Sequence, residues 1–228
     1  MKRTRVPSAS FLAVLMFAGM ILTASGQNQA AFSQDGRFVM ATTAPTYITP
    51  ASAEDPSLKV IAGNFSTYPK ALYFSIWGET VDQGVNGFPY QTWAAVAFTP
   101  TANATVTKIE TSAGRQGGGT AGFELGLWDD VGGVPGKPIR STHVSKLPAY
   151  GQCCTVSVVN YKTGTQYWVV VSTTAEDTDV YAWAFNSTDM SAHPTAFWCN
   201  NSPQDCGKDE GKWTLSQYVQ YGFNVLGH

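Results

Sequence analysis

Two adjacent carboxylates, Asp129 and Asp130, have the clearest capacity for chemistry, and they fall in the stretch Gly122 to Gly136, GFELGLWDDVGGVPG. Paired carboxylates beside glycine carbonyls offer the hard oxygens that calcium takes. The same residues can instead stabilise a turn through side-chain to backbone hydrogen bonds, which requires no ion. Glu124 is the nearest further carboxylate, and a glycosidase would need two of them across a sugar cleft. Glu124 shares its strand face with Trp128, roughly 13 Å further along the strand, and opposed carboxylates come from different strands, so local spacing establishes no such pair. His143 sits in STHVS and His193 precedes Pro194. Neither stands in a nucleophile or zinc-protease pattern, and the sequence contains no G-x-S-x-G and no H-E-x-x-H. The expectation is a protein that is not an enzyme, with calcium as its one candidate cofactor.

Aromatic side chains are the stronger lead. Tyr181, Trp183 and Phe185 alternate along one apolar segment, and Trp198 and Trp213 lie in or beside polar loops. Flat rings stack on the apolar faces of sugars while Asn, Asp and Gln neighbours reach the hydroxyls. Tyr181, Trp183, Trp198 and Trp213 are therefore the candidate ligand-binding set, although a period-two aromatic stripe is also how the inner face of a sheet reads. Trp77, Trp93, Trp128 and Trp168 fall in or at the edges of apolar strands and are assigned to the core.

The four cysteines read as disulfides if the chain is exported. Cys199 and Cys206 bracket the turn-rich loop NNSPQD and are the favoured bridge. Cys153 and Cys154 are neighbours, and a trans peptide holds their Cα atoms about 3.8 Å apart, closer than an unstrained disulfide wants. A vicinal bridge or two bridges to the later pair both remain open. A zinc site fails on spacing, because there is no C-x2-C and neither histidine stands at a ligand interval. RQGGGTAG lacks the Lys-Ser/Thr of a phosphate loop and does not open a helix. Four N-x-S/T sequons occur, at Asn64, Asn103, Asn186 and Asn200.

The elements that must position these residues are strands. In the central stretch Phe123, Leu125 and Leu127 alternate with Glu124, Gly126 and Trp128 before a turn of Asp129, Asp130, two glycines and a proline. LKVIAGNF, ALYFSIW, QTWAAVAFTP, TVTKIETSAG, KPIRSTHVSKL, TVSVV, TQYWVVVSTT, VYAWAF and YVQYGFNVLG follow the same grammar, with TVTKIETSAG the more polar, outer one. The last of them puts Val219, Tyr221, Phe223 and Val225 on one face. About ten short strands without an amphipathic helix predict an all-β fold, a two-sheet antiparallel β-sandwich of jelly-roll type.

The chain has 228 residues, 43% hydrophobic and 13% charged, with 22 Gly and 12 Pro, which suits one turn-rich β domain. Residues 1–26 combine a basic start, an apolar run from Phe11 to Leu22 and small residues at Ala24 to Gly26, the pattern of a cleaved export signal. The run is short for a membrane span, so no span is expected once the signal is removed. Residues 27–56 read as a flexible leader, with FVMATT and TYIT as an alternative first strand pair, and residues 57–228 as the sandwich domain. Without Lys2, Arg3 and Arg5 the balance is 11 basic against 16 acidic residues, formally −5. That surface argues against nucleic acid, whose phosphates need a basic footprint.

TWAAVAFTP at Thr92 to Pro100, LWDDVGGVPG at Leu127 to Gly136, GTQYWVVV at Gly164 to Val171 and the tryptophan-punctuated tail together resemble the choice-of-anchor R domains, exported bacterial β-sandwich modules. The resemblance spans roughly residues 57 to 228. It implies a surface or secreted module of sandwich fold and supplies no catalytic residues. Such modules carry varied C-terminal sorting signals, whereas NVLGH follows Phe223 here, so release is expected over covalent anchoring.

The expectation is a secreted, extracellular, disulfide-stapled module, with the periplasm as the alternative address. Its first reading is carbohydrate binding through loop aromatics. The second is a structural or adhesive surface module with a protein partner, and a glycoside hydrolase ranks third.

Overall fold

The computed structural model describes residues 31–32, 38–40, 56–64, 77–83, 91–111, 113–115, 122–145, 164–174, 181–186, 193–200, 210–216 and 220–228. All regular structure among them is β-strand, and every pairing is antiparallel. The export signal, Cys153, Cys154, Cys206, TVSVV and TYIT lie outside the described residues.

Two strands form the centre, β5 (Gln91–Phe98) and β10 (Tyr167–Ser172), and both are buried on both faces. A strand with no water on either side reads as a continuous apolar run, which is what QTWAAVAF and YWVVVS are. Outward from this pair lie β8 (Phe123–Val131) and β9 (Val134–Val144) on one side, and β12 (Thr195–Asn200) and β13 (Lys212–Ser216) on the other. The resulting layer has the order β13-β12-β5-β10-β8-β9.

The second layer is a three-stranded sheet, β3 (Lys59–Gly63), β15 (Phe223–Gly227) and β6 (Val106–Thr111), with β15 in the middle. The two sheets pack into the expected β-sandwich. Ala94, Val96, Phe98, Phe123, Leu125, Leu127, Tyr167, Val169 and Val171 of the large sheet meet Ile109, Phe223 and Val225 of the small one. Burial of each large apolar side chain here contributes about 1.5–3 kcal/mol relative to exposure.

The layers are joined at one end by β4 (Trp77–Gln83), which pairs with β5 through Asp82 and Gln83 and with β11 (Tyr181–Asn186) through Gly78 to Val81. β11 in turn holds β7 (Ala113–Arg115) and β14 (Gln220–Tyr221). Within the stretch read as a leader, β1 (Ala31–Phe32) and β2 (Phe38–Met40) form a short pair that extends β4. The partner of Phe38–Met40 is Ala31–Phe32, whereas TYIT, the partner expected from the sequence, lies outside the described residues.

Three expectations change in detail. The central strand runs through both aspartates to Val131, so the turn is only Gly132 and Gly133, at φ 67° and 87°. Positive φ at both central positions makes the two-residue hairpin loop whose twist matches its strands. TVTKIETSAG contributes an outer strand of the small sheet, as expected, but a less solvent-facing one, because Ile109, Glu110 and Thr111 of β6 are all buried. The closing strand is interrupted at Gly222, yet Tyr221, Phe223 and Val225 still enter the core together.

Asn64 ties β3 to the closing strands. Its Nδ2 donates to the Tyr221 carbonyl at 2.8 Å, and its Oδ1 accepts from the Phe223 amide at 2.9 Å. This sequon asparagine is 3% exposed, so its carboxamide serves the fold. Asn64→Ala leaves two buried backbone groups without partners and is expected to cost about 2–4 kcal/mol. Val60→Ala, at a 40% exposed position on the same strand, should stay within about 0.5 kcal/mol in parallel urea titrations.

Candidate functional site

The large sheet has a second face, turned away from the sandwich core. Alternation along β5 sends Ala94, Val96 and Phe98 inward and Trp93, Ala95 and Ala97 outward. Ala95 and Ala97 belong to a separate cluster with Trp168, Val170 and Ala196, against which Trp128 and Trp213 pack, while Trp93 also packs against the sandwich core.

The sheet curls about this face. A flat six-stranded sheet would hold its edges about 24 Å apart. Here β9 and β13 approach within 8 Å, Cα to Cα. Small side chains permit the curl: Leu215, Ala196, Ala95, Val170, Gly126 and Ser141 align across the six strands, and all but Leu215 and Val170 are small.

Tryptophans stand over that floor. Trp213, Trp198 and Trp93 are directly opposite one another on β13, β12 and β5. Trp93 and Trp198 stack at 4.0 Å between centroids and 15° between planes. Trp128 comes from the far side, opposite Trp168, yet its indole reaches to 6.3 Å from Trp93 and 6.2 Å from Trp213. It does so by folding back over Gly126, where a Cβ would lie 2.6 Å from Trp128 Nε1. Trp93, Trp128, Trp198 and Trp213 each keep part of their surface in solvent, whereas Trp168 is fully buried.

Polar groups fix the edges of the cluster. Asp130 Oδ1 accepts from Trp168 Nε1 at 2.7 Å and from Gln166 Nε2 at 2.6 Å, while Oδ2 accepts from the Gly133 amide at 3.1 Å. Trp93 Nε1 donates to Thr173 Oγ1 at 3.1 Å. Asp129 Oδ1 accepts from the Lys137 amide. The two aspartates thus work as hairpin and indole anchors. Among the described residues, no three His, Cys, Asp or Glu side chains gather as a metal site.

Of the residues singled out in the sequence, Trp198 and Trp213 come together, as paired strand residues and not in loops, because TAFWCN and KWTLS form a hairpin. Trp183 is elsewhere: it is fully buried in the sandwich core, stacked on Tyr221 at 4.6 Å with its Nε1 bonded to the Gly222 carbonyl. A buried ring with its one donor used has no surface for a ligand. Tyr181 lies on the same strand, opposite Val81 and Arg115. Cys199 is 7% exposed near the end of β12, where its carbonyl accepts from the Gly211 amide across the hairpin. The side chain of Trp77 lies outside the described residues.

Trp128, assigned from the sequence to the core, belongs to the part-exposed cluster, whereas Trp93, assigned likewise, packs against the core and also borders that cluster. The signal was present: Trp128 alternates with Glu124 and Gly126, a face too polar for an interior. His193 is structural, its Nδ1 donating to the Ala97 carbonyl at 3.1 Å and its ring set edge-on to Phe223. Glu124 and Asp130 point to the same face but lie about 20 Å apart along β8, so they do not meet across a cleft.

No family model and no curated protein matches this chain. Among solved structures it is similar to the cysteine protease and lectin-like domains of Cwp84, a surface layer associated protein of Clostridium difficile, at 12% identity and a TM-score of 0.39. The match covers 75% of this chain and 36% of that one. Among the described residues, no helix is long and apolar enough to cross a membrane.

Removing the Asp130 carboxylate strands the buried Trp168 donor, so Asp130→Ala is expected to cost about 1–3 kcal/mol. Asp129→Ala, which loses one exposed bond, should cost about half to one and a half kcal/mol. Gly126→Ala should push Trp128 off its seat at about 1–3 kcal/mol, with a changed near-ultraviolet circular dichroism spectrum. Equilibrium unfolding of the three variants ranks them.

Proposed function

We propose that this protein is a secreted, non-catalytic binding module that holds carbohydrate on the tryptophan cluster of its large sheet. The observation that carries the reading is the part-exposure of Trp93, Trp128, Trp198 and Trp213, whose rings gather at the outward side of the large sheet. A closed core excludes water from its rings, as Trp183 illustrates. Part-exposed indoles held by a rigid sheet present apolar surface at little conformational cost, and neighbouring acceptors and hydroxyls give such a surface direction.

The remaining parts of the reading fit around this face. The likeness to choice-of-anchor R domains suggests a module displayed on or released from a bacterial cell. A Cys199–Cys206 bridge would close the connection between β12 and β13 and hold Trp198 and Trp213 in place. Calcium, if it acts, would act through Asp129 and Asp130, whose oxygens already accept protein donors.

Intrinsic fluorescence titration of the purified protein against a polysaccharide panel, with and without calcium, tests the reading. A saturable shift is expected, with Trp198→Ala and Trp213→Ala each weakening binding about tenfold while both variants keep a cooperative unfolding transition and the parent far-ultraviolet circular dichroism spectrum. A flat response across the panel, together with concentration-dependent self-association in sedimentation, would move the function to an adhesive or structural module with a protein partner.

A further inference from the structure

The row that holds the tryptophans continues past them. Trp213, Trp198 and Trp93 are opposite one another, and the pairing of Ala94 with Val171 sets Ser172 beside Trp93. Ser172 is opposite Glu124, and Glu124 is opposite His143. One line across six strands therefore passes from three indoles, through a small hydroxyl, to a carboxylate and an imidazole. All six alternate onto the same side of the sheet.

The last two are joined. His143 Nδ1 and Glu124 Oε1 are 3.0 Å apart, with the side chains 42% and 21% exposed. A carboxylate only accepts, so Nδ1 carries the hydrogen and Glu124 Oε2 keeps its lone pairs. Among the described residues, no protein donor reaches that oxygen. An exposed pair of this kind adds little to stability, so the fold gives no reason for an acceptor to be held at the end of an aromatic row.

The geometry points to Glu124, held by His143, as the polar half of the tryptophan site, accepting hydroxyl hydrogens from a neutral sugar and rejecting uronates. The inference rests on the carbohydrate reading of the cluster and adds its ligand class. A neutral pyranose offers an apolar face to indole and hydroxyl donors to a carboxylate. A uronate brings a second negative charge to an acceptor that carries the same charge, and Asp130 on the same face adds to the repulsion.

The test uses the whole protein, titrated by calorimetry and fluorescence with cellohexaose, xylohexaose, mannohexaose and chitohexaose, and with hexagalacturonate and hexamannuronate. At least one neutral hexamer should bind about tenfold or more tighter than either uronate at low salt. Glu124→Gln keeps the shape and removes the charge, and should narrow that ratio to about threefold or less. Glu124→Ala should weaken the neutral sugar about tenfold. His143→Gln, which loosens the carboxylate, should weaken the neutral sugar by a smaller factor. Uronates binding as well as neutral hexamers, or an unchanged ratio in Glu124→Gln, overturns the assignment and leaves the tryptophan site standing, provided Trp198→Ala still loses binding. Silence from every probe with the parent protein removes both.

Discussion

β5 and β10 are covered on both faces except at the rim where Trp93 stands, and the rest of the molecule follows from that constraint. Side chains on one side of this pair are covered by the small sheet, whose Ile109, Phe223 and Val225 complete an ordinary sandwich core. The other side has no second sheet over it among the described residues. Its cover comes from the same sheet's own outer strands, β8, β12 and β13, which send Trp128, Trp198 and Trp213 over alanines and a glycine. A covering built from large rings at the edges of a curled sheet stays partly wet at its rim. The proposed binding surface is thus a by-product of how the second face is closed.

Residue size sets the curl. Had Ala95, Ala97, Ala196 and Gly126 been leucine-sized, the strands could not draw their far edges together, and the indoles would have no shared space. Trp128 is the clearest case, because its position depends on the missing Cβ at Gly126. Asp130 closes the arrangement from below by holding the indole of Trp168. The central hairpin therefore does two jobs with adjacent residues: Asp129 fastens its own turn, and Asp130 fastens the neighbouring strand.

Much of the fold was legible in the sequence. Alternation located the faces of β8 and β15, and the apolar runs of QTWAAVAFTP and TQYWVVVSTT located β5 and β10 as strands. The site was legible only in part, for a physical reason. Period-two reading assigns a residue to a face but does not say which of two faces a sheet will cover. Trp93 looks like core because both its neighbours in kind, Ala95 and Ala97, are apolar. Trp183 looks like a candidate because Tyr181 and Phe185 flank it, yet its face turns inward on Tyr221. Trp198 and Trp213 were found for their loop-like surroundings, although what unites them is a cross-strand register that no local pattern encodes.

The hairpin's register breaks, on either side of Trp128 opposite Pro138, have a further consequence. β9 is an outermost strand, and a long straight edge with open amides is a template on which another chain can add as a strand. Pro135 and Pro138 remove two of those donors, and the breaks bend the edge out of line. On the opposite side β13 is short and turned towards β9 by the curl. On a sheet with this much apolar and aromatic surface, both features work against the addition of a further strand at these two edges.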